Sequence, residues 1–572
     1  MTPPRARGGA DAGAVLARAP GRRDPIRTPP TEPGPPEVPP TEGGGRHAAT
    51  ATPADHAQDD IGDPPTTVDV RLIPVAVVAW LAALVVVRVP SRPALCAAVL
   101  GLVIGLGVLA VSRRPEHDET SGARRTWSGT PLGPVVALCL LASSAVLGAG
   151  ASQTSARGDG LLPVLAHAGA VGRIEGVVVG DPTVLPPAWP GAPERVRTLV
   201  AVDRAAARGR ESGATGQVLV LGPSSWGTVA SGARVAASGR LRPGETGRRT
   251  VAVLLSSAAP DTVSAPSAPD VAAEEFREGV RSLGAALPGD AGALFAGVTV
   301  GDTSAIPDDL ADALRTAGLT HVTAVSGAHF SLVAALVLAL TSAVRLPRPV
   351  RAVLTVAAMA AMVLVVHPSP SVLRAAAMGA VALLGVLLGR PHRAPAALGA
   401  TVVLLLVADP WLAGEVGFVL SVLATAALVL LGGPLADRGA GLLGRPVATA
   451  LALPVAAQLV CAPVIVLLTP AVSLYAVPAN VLAAPAVAPA TVLGLAAGCV
   501  APWWSAGAEV LALGAGAACW WIGAVGRVAA AAPGSQVAWL PGWAGAALLT
   551  VAGVCVARLL VVGPGAPGRS RQ

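Results

Sequence analysis

The chain contains no lysine; all 41 of its basic residues are arginine. An ATP-binding loop of the Gly-x-x-x-x-Gly-Lys-Ser/Thr type is therefore excluded. Arginine-for-lysine choices also lose chemical meaning here, because abundant Ala, Gly and Pro point to GC-rich coding. Charge of either sign is scarce: 13% of residues are charged, 53% are hydrophobic, and the mean hydropathy is +0.63. Such a balance over 572 residues excludes an ordinary soluble protein and points to a polytopic membrane protein. The six cysteines (Cys96, Cys139, Cys461, Cys499, Cys519, Cys555) include no CxxC pair and sit in or beside apolar runs. They read as small core residues, not as a zinc site or a disulfide framework.

Residues 1–68 are rich in Pro, Gly, Thr, Arg and Asp with no apolar period, and read as a disordered cytoplasmic tail. Residues 69–150 hold three apolar runs, near 72–87, 94–112 and 131–150. Hydropathy drops over 151–320, and nine runs follow within 321–560: 322–344, 350–366, 371–388, 395–408, 415–432, 447–468, 472–499, 509–530 and 541–558. Residues 561–572 form a second tail. The expectation is an α-helical bundle of about twelve spans, several short or broken by proline. Arg113, Arg114, Arg124, Arg125, Arg345, Arg348, Arg351, Arg390, Arg393, Arg438, Arg445, Arg569 and Arg571 all fall on one side if the spans alternate. Loop arginines mark the cytoplasmic side. That places both termini inside and 151–320 outside.

Within the outside region, 165–260 read as five short strands: Gly172–Val179, Val196–Val202, Gln217–Leu221, Arg234–Gly239 and Val251–Leu255. Gly, Pro and Ser turns separate them, which suits a small β-barrel of the OB type. Over 165–258 eleven arginines stand against six acids, a net +5 that would attract a polyanion. Its only aromatics are Trp189 and Trp226, a poor platform for stacking bases, so DNA contact and a purely structural role both stay open. Residues 271–320 read as amphipathic helices. Pro307-Asp308-Asp309 opens one, and Gly318 ends it.

The most unusual stretch is Ala317-Gly-Leu-Thr-His-Val-Thr-Ala-Val-Ser-Gly-Ala-His329, which joins an amphipathic helix to a span. Ionisable groups at a membrane entrance are costly to desolvate, so they mark candidate functional residues. Ser326 and His329 share a face if helical. Gly327 between them could loosen a helix whose amides then attract phosphate. The other reading is core histidines hydrogen-bonded between helices. Arg374, three residues after Ser371, suits a phosphate, or else pairs with Asp409 or Glu415. Ser421, Gln458 and Asn480 (the only asparagine) read as polar groups bonding helix to helix. Pro478, Pro485 and Pro489 point to irregular, re-entrant helices. Asp302 and Ser304 read as a helix cap.

Gly301-Asp-Thr-Ser304 followed by Leu314–His329 resembles the opening of the competence domain in the ComEC family of DNA-uptake channels. Pro370–Met378, Asp409-Pro410 with Gly417–Ala424, and Gln458–Pro463 with Pro478-Ala-Asn480 and Pro485 resemble further motifs of that family, in order. The resemblance implies a multipass channel in the cytoplasmic membrane that passes single-stranded DNA during natural transformation. The path or gate would be lined by His321, Ser326, Gly327, His329, Ser371 and Arg374. Many family members carry a metallo-β-lactamase-like hydrolase domain after the last span, with clustered His and Asp. The eight histidines here are scattered and form no such cluster. The expectations are therefore no catalytic residue, no metal, no cofactor and no enzyme activity. The expected partners are membrane lipids, a DNA receptor outside, a cytoplasmic helicase or translocase, a separate nuclease, and copies of the chain in a homo-oligomer. A small-solute or lipid-linked transporter would need paired ionisable groups near the midplane, which are scarce. A membrane scaffold without transport is the third reading.

Overall fold

The computed structural model describes residues 71–112, 132–187, 189–323, 326–366, 372, 375–380 and 394–562. Three helices come first: α1 (Leu72–Val86), α2 (Ser91–Ser112) and α3 (Leu132–Gly158). The short α4 (Leu161–His167) leads into a β domain of β1 (Val171–Leu185), β2 (Arg195–Ala207), β3 (Arg210–Pro223), β4 (Arg234–Pro243), β5 (Thr250–Leu255) and β6 (Asp261–Ser264). The five strand segments read from the sequence fall inside β1 to β5, and β6 is additional. Burial alternates along β1 and β2, as a period of two requires. Ile174, Val178, Val196, Val200, Val218, Val220, Val235, Leu241 and Leu254 form the core with Trp226. The strands pair in the order β1-β2-β3-β5-β4-β6, and β1 also pairs with β4. All pairings are antiparallel except β3 with β5.

The remaining helices are α5 (Ala268–Ala285), α6 (Gly289–Val300), α7 (Asp308–Thr316), α8 (Thr320–Thr323), α9 (Gly327–Ala343), α10 (Arg348–Val365), α11 (Ala394–Ala408), α12 (Val416–Leu443), α13 (Arg445–Leu468), α14 (Ala476–Val500), α15 (Ser505–Ala531) and α16 (Gly542–Val562). Among the described residues eight helices are long and apolar enough to cross a membrane: α2, α3, α10 and α12 to α16. Three more expected spans are apolar helices of 15, 17 and 15 residues, α1, α9 and α11. At about 22–26 Å they are shorter than a bilayer core of about 30 Å. Of 371–388 only 372 and 375–380 are described. The molecule is thus a mostly helical polytopic membrane protein, with eight helices of spanning length among the described residues.

One group of helices is α1, α3 and α11, where Ala79, Ala83, Val146, Val402 and Leu406 pack with Leu412 and Phe418, and Trp80 stacks on Phe418 at 4.7 Å. A second joins α12 and α13 through Ala427, Leu435, Ala436, Ala452 and Ala456. A third surrounds the α14–α15 hairpin. There α5 and α7 are amphipathic, but α6 is apolar on every side and buried from Leu294 to Val300. This corrects the expectation of amphipathic helices throughout 271–320.

The segment 268–318 follows that hairpin lengthwise. A Cβ on Gly498, at the end of α14, would meet Phe276 of α5 at 2.7 Å. One on Gly516 would meet Leu287, and one on Gly523 would meet Asp290, at the start of α6. Gly526 faces Leu314 of α7, and Gly318 faces Ala476 at the start of α14. So α5 and the turn after α7 touch opposite ends of α14, and α6 runs between them. On strict alternation those ends lie on opposite membrane faces, so 268–318 does not sit wholly on one side of the hairpin. The prolines of α14 do not break it. Pro478 is in the first turn, which needs no donor, and the helix runs on past Pro485 and Pro489.

Candidate functional site

The site is built on the turn after α7. Gly318 takes φ +70, Leu319 N–H donates to Leu314 O (2.8 Å), and Gly318 N–H donates to Arg315 O (3.1 Å). This is a Schellman stop, with buried Leu314 and Leu319 in its apolar contact. A Cβ at Gly318 would lie 2.9 Å from that of Ala476. Asn480 closes the turn from the other side, its Nδ2 donating to Ala476 O (2.7 Å) and Gly318 O (3.4 Å). The sole asparagine therefore bonds helix to turn.

Beyond α8, Ser326 is extended (φ −116, ψ 173) and caps α9, of which Gly327 is the first residue. The helix begins at Gly327 and is not broken there. His329 Nδ1 accepts from the Ser326 backbone N–H at 3.1 Å, with Ser326 Oγ also 3.1 Å away. His329 stands at N3, where capping boxes usually carry Glu or Gln. An Nδ1 that accepts this backbone N–H fixes the neutral tautomer with its proton on Nε2. His329 is 1% exposed, with the Val298 backbone beside its ring. His321 and Gly327 are exposed and Ser326 is half-buried. The structure thus joins Ser326 to His329 and leaves the His321 ring accessible but enclosed by protein, close to His329.

Ser371 and Arg374 lie outside the described residues. Their neighbours Val372 and Ala375 pack with Met359, Met362 and Val366 around Phe330, one residue past His329. Val372 and Ala375 therefore reach the foot of α9. The acids weighed as partners for Arg374 serve another arginine. Asp409 forms an ion pair with Arg249 of the β domain, and Glu415 acts on the same guanidinium. Burial holds Arg249 below its ordinary pKa, and Glu415 pulls it back up.

Asp302 and Ser304 do not cap α7, whose N-cap is Pro307. Asp302 orders the loop instead, accepting from Ser304 N–H (2.9 Å) and Arg281 Nε (3.0 Å). Ser421 and Gln458 are half-buried on α12 and α13. The Ser421 carbonyl accepts from the Thr425 hydroxyl (2.9 Å).

Three charged clusters were missed from the sequence. Arg277, 3% exposed, bonds Glu274 and donates to the terminal carbonyls of α10 at Leu364 (3.3 Å) and Val365 (3.1 Å). Arg527 grips Asp290 (2.5 and 2.8 Å) and Asp309 (2.8 Å), holding α6 and α7 to α15. Arg157 lies over Trp411 at 3.3 Å and donates to Arg249 O at 3.2 Å, beside the Asp409 pair. Only the Glu274–Arg277 spacing of three was visible beforehand. Among the described residues no group of three His, Cys, Asp or Glu is placed to hold a metal.

Fold and site define a polytopic membrane protein with a β domain tied to its helices and a capped histidine turn inside them. Residues 298–563 match the family model described as Competence protein. ComE operon protein 3 of Bacillus subtilis (strain 168) is 28% identical over 144 residues, 25% of this chain and 19% of that relative. The match therefore spans about a fifth of the relative's length. No solved structure matches the chain. Over 298–563 the chain is thus similar to the competence protein family, and over 144 residues to that Bacillus protein.

Proposed function

We propose that this chain is the channel that passes one DNA strand across the cytoplasmic membrane during natural transformation. The observation that carries the reading is the competence-family match over 298–563, which contains the whole capped turn from Ser326 to His329. A strand carries a charge per nucleotide, so its path must be lined by protein and water. The exposed His321 and Gly327, with Ser326, line that path. The exposed amides at the start of α9 favour anions there. The ring of pairings β1-β2-β3-β5-β4-β1 supports an OB-type closed barrel, which gathers the strand. The chain transports and does not hydrolyse. A DNA receptor, a cytoplasmic translocase and a nuclease act as separate partners.

The test is entry of labelled DNA into the cytoplasm of cells carrying a deletion, the intact gene, or His329→Ala. A deletion that binds DNA outside but admits none supports the channel. Undiminished entry in the deletion strain would sink it and favour a solute transporter or a scaffold.

A further inference from the structure

We propose that one end of the β domain is a phosphate-binding site that grips a nucleic-acid strand by its backbone alone, without stacking or reading bases. This rests on the DNA-uptake reading above and adds to it the place and the mode of contact.

The pairing register gathers the residues. Val171 of β1 lies opposite Arg240 of β4, and Arg173 lies opposite both Ser238 of β4 and Ala206 of β2. The β2–β3 hairpin turns at the same end, with Ala207 paired to Arg210 across Arg208-Gly209. Arg173, Arg208, Arg210 and Ser238 line an open concavity of about 470 Å³ there, together with Glu211.

Charge bookkeeping singles out this end. Elsewhere in the domain Arg234 is held by Glu175 and Asp203, Arg248 by Glu245, and Arg249 by Asp409. At the concavity Glu211 faces Arg204 at 4.0 Å, and Arg173 meets Asp261 at 2.9 Å with both side chains half exposed or more. Among the described residues Arg208, Arg210 and Arg240 have no carboxylate partner. Arg195, Arg197 and Arg242 are also unpaired, but the first two lie at the far end of β2, opposite Leu185 and Thr183 of β1, and Arg242 lies on β4 opposite Val253 of β5, outside the concavity's lining.

The hairpin tip adds a second observation. Arg208 has φ +51 and Gly209 φ +74, so two left-handed residues make the turn. Asn or Gly normally fills the first position, and a side chain such as arginine costs about 1 kcal/mol there. A guanidinium held out at a strained tip, with no acid to answer it, suits an external anion.

The mode follows from the aromatics. Trp226 is fully buried and its Nε1 donates to Ala258 O at 3.1 Å. Trp189 is exposed but sits in the β1–β2 connection, at the opposite end from the β2–β3 tip. Among the described residues no aromatic ring lines the concavity, so attraction comes from phosphate charge and counterion release.

The test uses the full chain in phosphatidylcholine nanodiscs, with fluorescence anisotropy of a labelled twenty-nucleotide thymidine strand and of an abasic strand of equal length. The expected result is affinities within twofold of each other. Arg208→Ala/Arg210→Ala should weaken both roughly tenfold and lower the salt slope by roughly 1.4. Arg208→Lys/Arg210→Lys should retain most of the binding, which also shows that the tip still folds. Arg195→Ala/Arg197→Ala should change little. An abasic strand bound tenfold more weakly overturns the backbone-only mode. Equal losses in the two alanine pairs overturn the place. Loss of strand binding when phosphatidylglycerol replaces part of the lipid assigns the concavity to lipid headgroups instead. DNA entry in cells is read separately, so a deletion that blocks entry while the purified chain ignores both strands sinks this site and leaves the channel standing.

Discussion

Replacing Asp409 by alanine should loosen the β domain from the helices. The Arg249–Asp409 pair is only 18% and 25% exposed. Breaking a fully buried pair by removing one partner costs about 3–5 kcal/mol, and an exposed pair contributes about 0–1 kcal/mol. An intermediate pair whose arginine keeps only Glu415 nearby should cost about 2 kcal/mol. That is roughly a thirtyfold shift toward the undocked state. The domain would not detach altogether. Arg157 of α3 still donates to Arg249 O at 3.2 Å, and Leu161 N–H still donates to Ser212 Oγ at 2.8 Å. Hydrogen exchange of residues 244–251 in nanodiscs is the assay, with roughly thirtyfold faster exchange expected there and no change in the core strands around Val200 and Val218. Unchanged exchange at 244–251 would refute the claim that this ion pair holds the domain down. Acceleration spread over the whole sheet would mean the pair stabilises the β fold, not its docking.

Other outcomes follow from the capped turn and its surroundings. Gly318→Ala should cost about 2 kcal/mol, from the left-handed φ and the contact with Ala476, and lower the thermal midpoint of the purified chain; an unchanged midpoint counts against the turn as drawn. His329→Gln keeps an acceptor at N3 but cannot titrate, whereas His329→Ala removes both. If DNA entry survives glutamine and fails with alanine, His329 serves as a cap; failure of both, with normal expression, assigns the imidazole to the path. Burial pushes the Asp302 carboxyl up, but hydrogen bonds from Ser304 and the charge of Arg281 more than offset it, leaving the pKa below its ordinary value. A depressed carboxylate pKa stabilises the folded loop above the unfolded value. That stability should be whole at neutral pH and lost as pH falls below about 4. Hydrogen exchange of 301–306, referenced at each pH to Asp302→Asn, should show that loss; a flat difference would contradict it.

What the sequence made legible was what repeats at short range. Alternation along Ile174, Gly176 and Val178 and along Val196, Thr198 and Val200 marked the strands, and long apolar runs marked the eight helices of spanning length. The helix α6 was missed because the eleven residues between Asp290 and Asp302 are too few for a span and have no polar face. Its environment comes from α14 and α15, about 200 residues away. The two histidines look equivalent in sequence, eight positions apart. Only the cap at Ser326 sets them apart, by tying the His329 ring to the start of α9. Arg249 and Asp409 could not be matched in advance, since no local rule pairs residues 160 positions apart. The acids nearest Arg374 in sequence were weighed for it instead.

The lengthwise seat of α6 has a consequence for how the protein is made. The surfaces that enclose Leu294, Phe295 and Val298 come from residues 479–497 and 512–525, which leave the ribosome about 200 residues later. At synthesis rates of roughly 5–20 residues per second, α6 waits roughly 10–40 s for its groove. During that interval an apolar helix too short to span a bilayer has neither lipid depth nor protein to shelter it. Assembly of this chain therefore depends on whatever holds α6 until the last helices arrive. Nascent chains halted before α15 should be the ones that quality-control proteases clear.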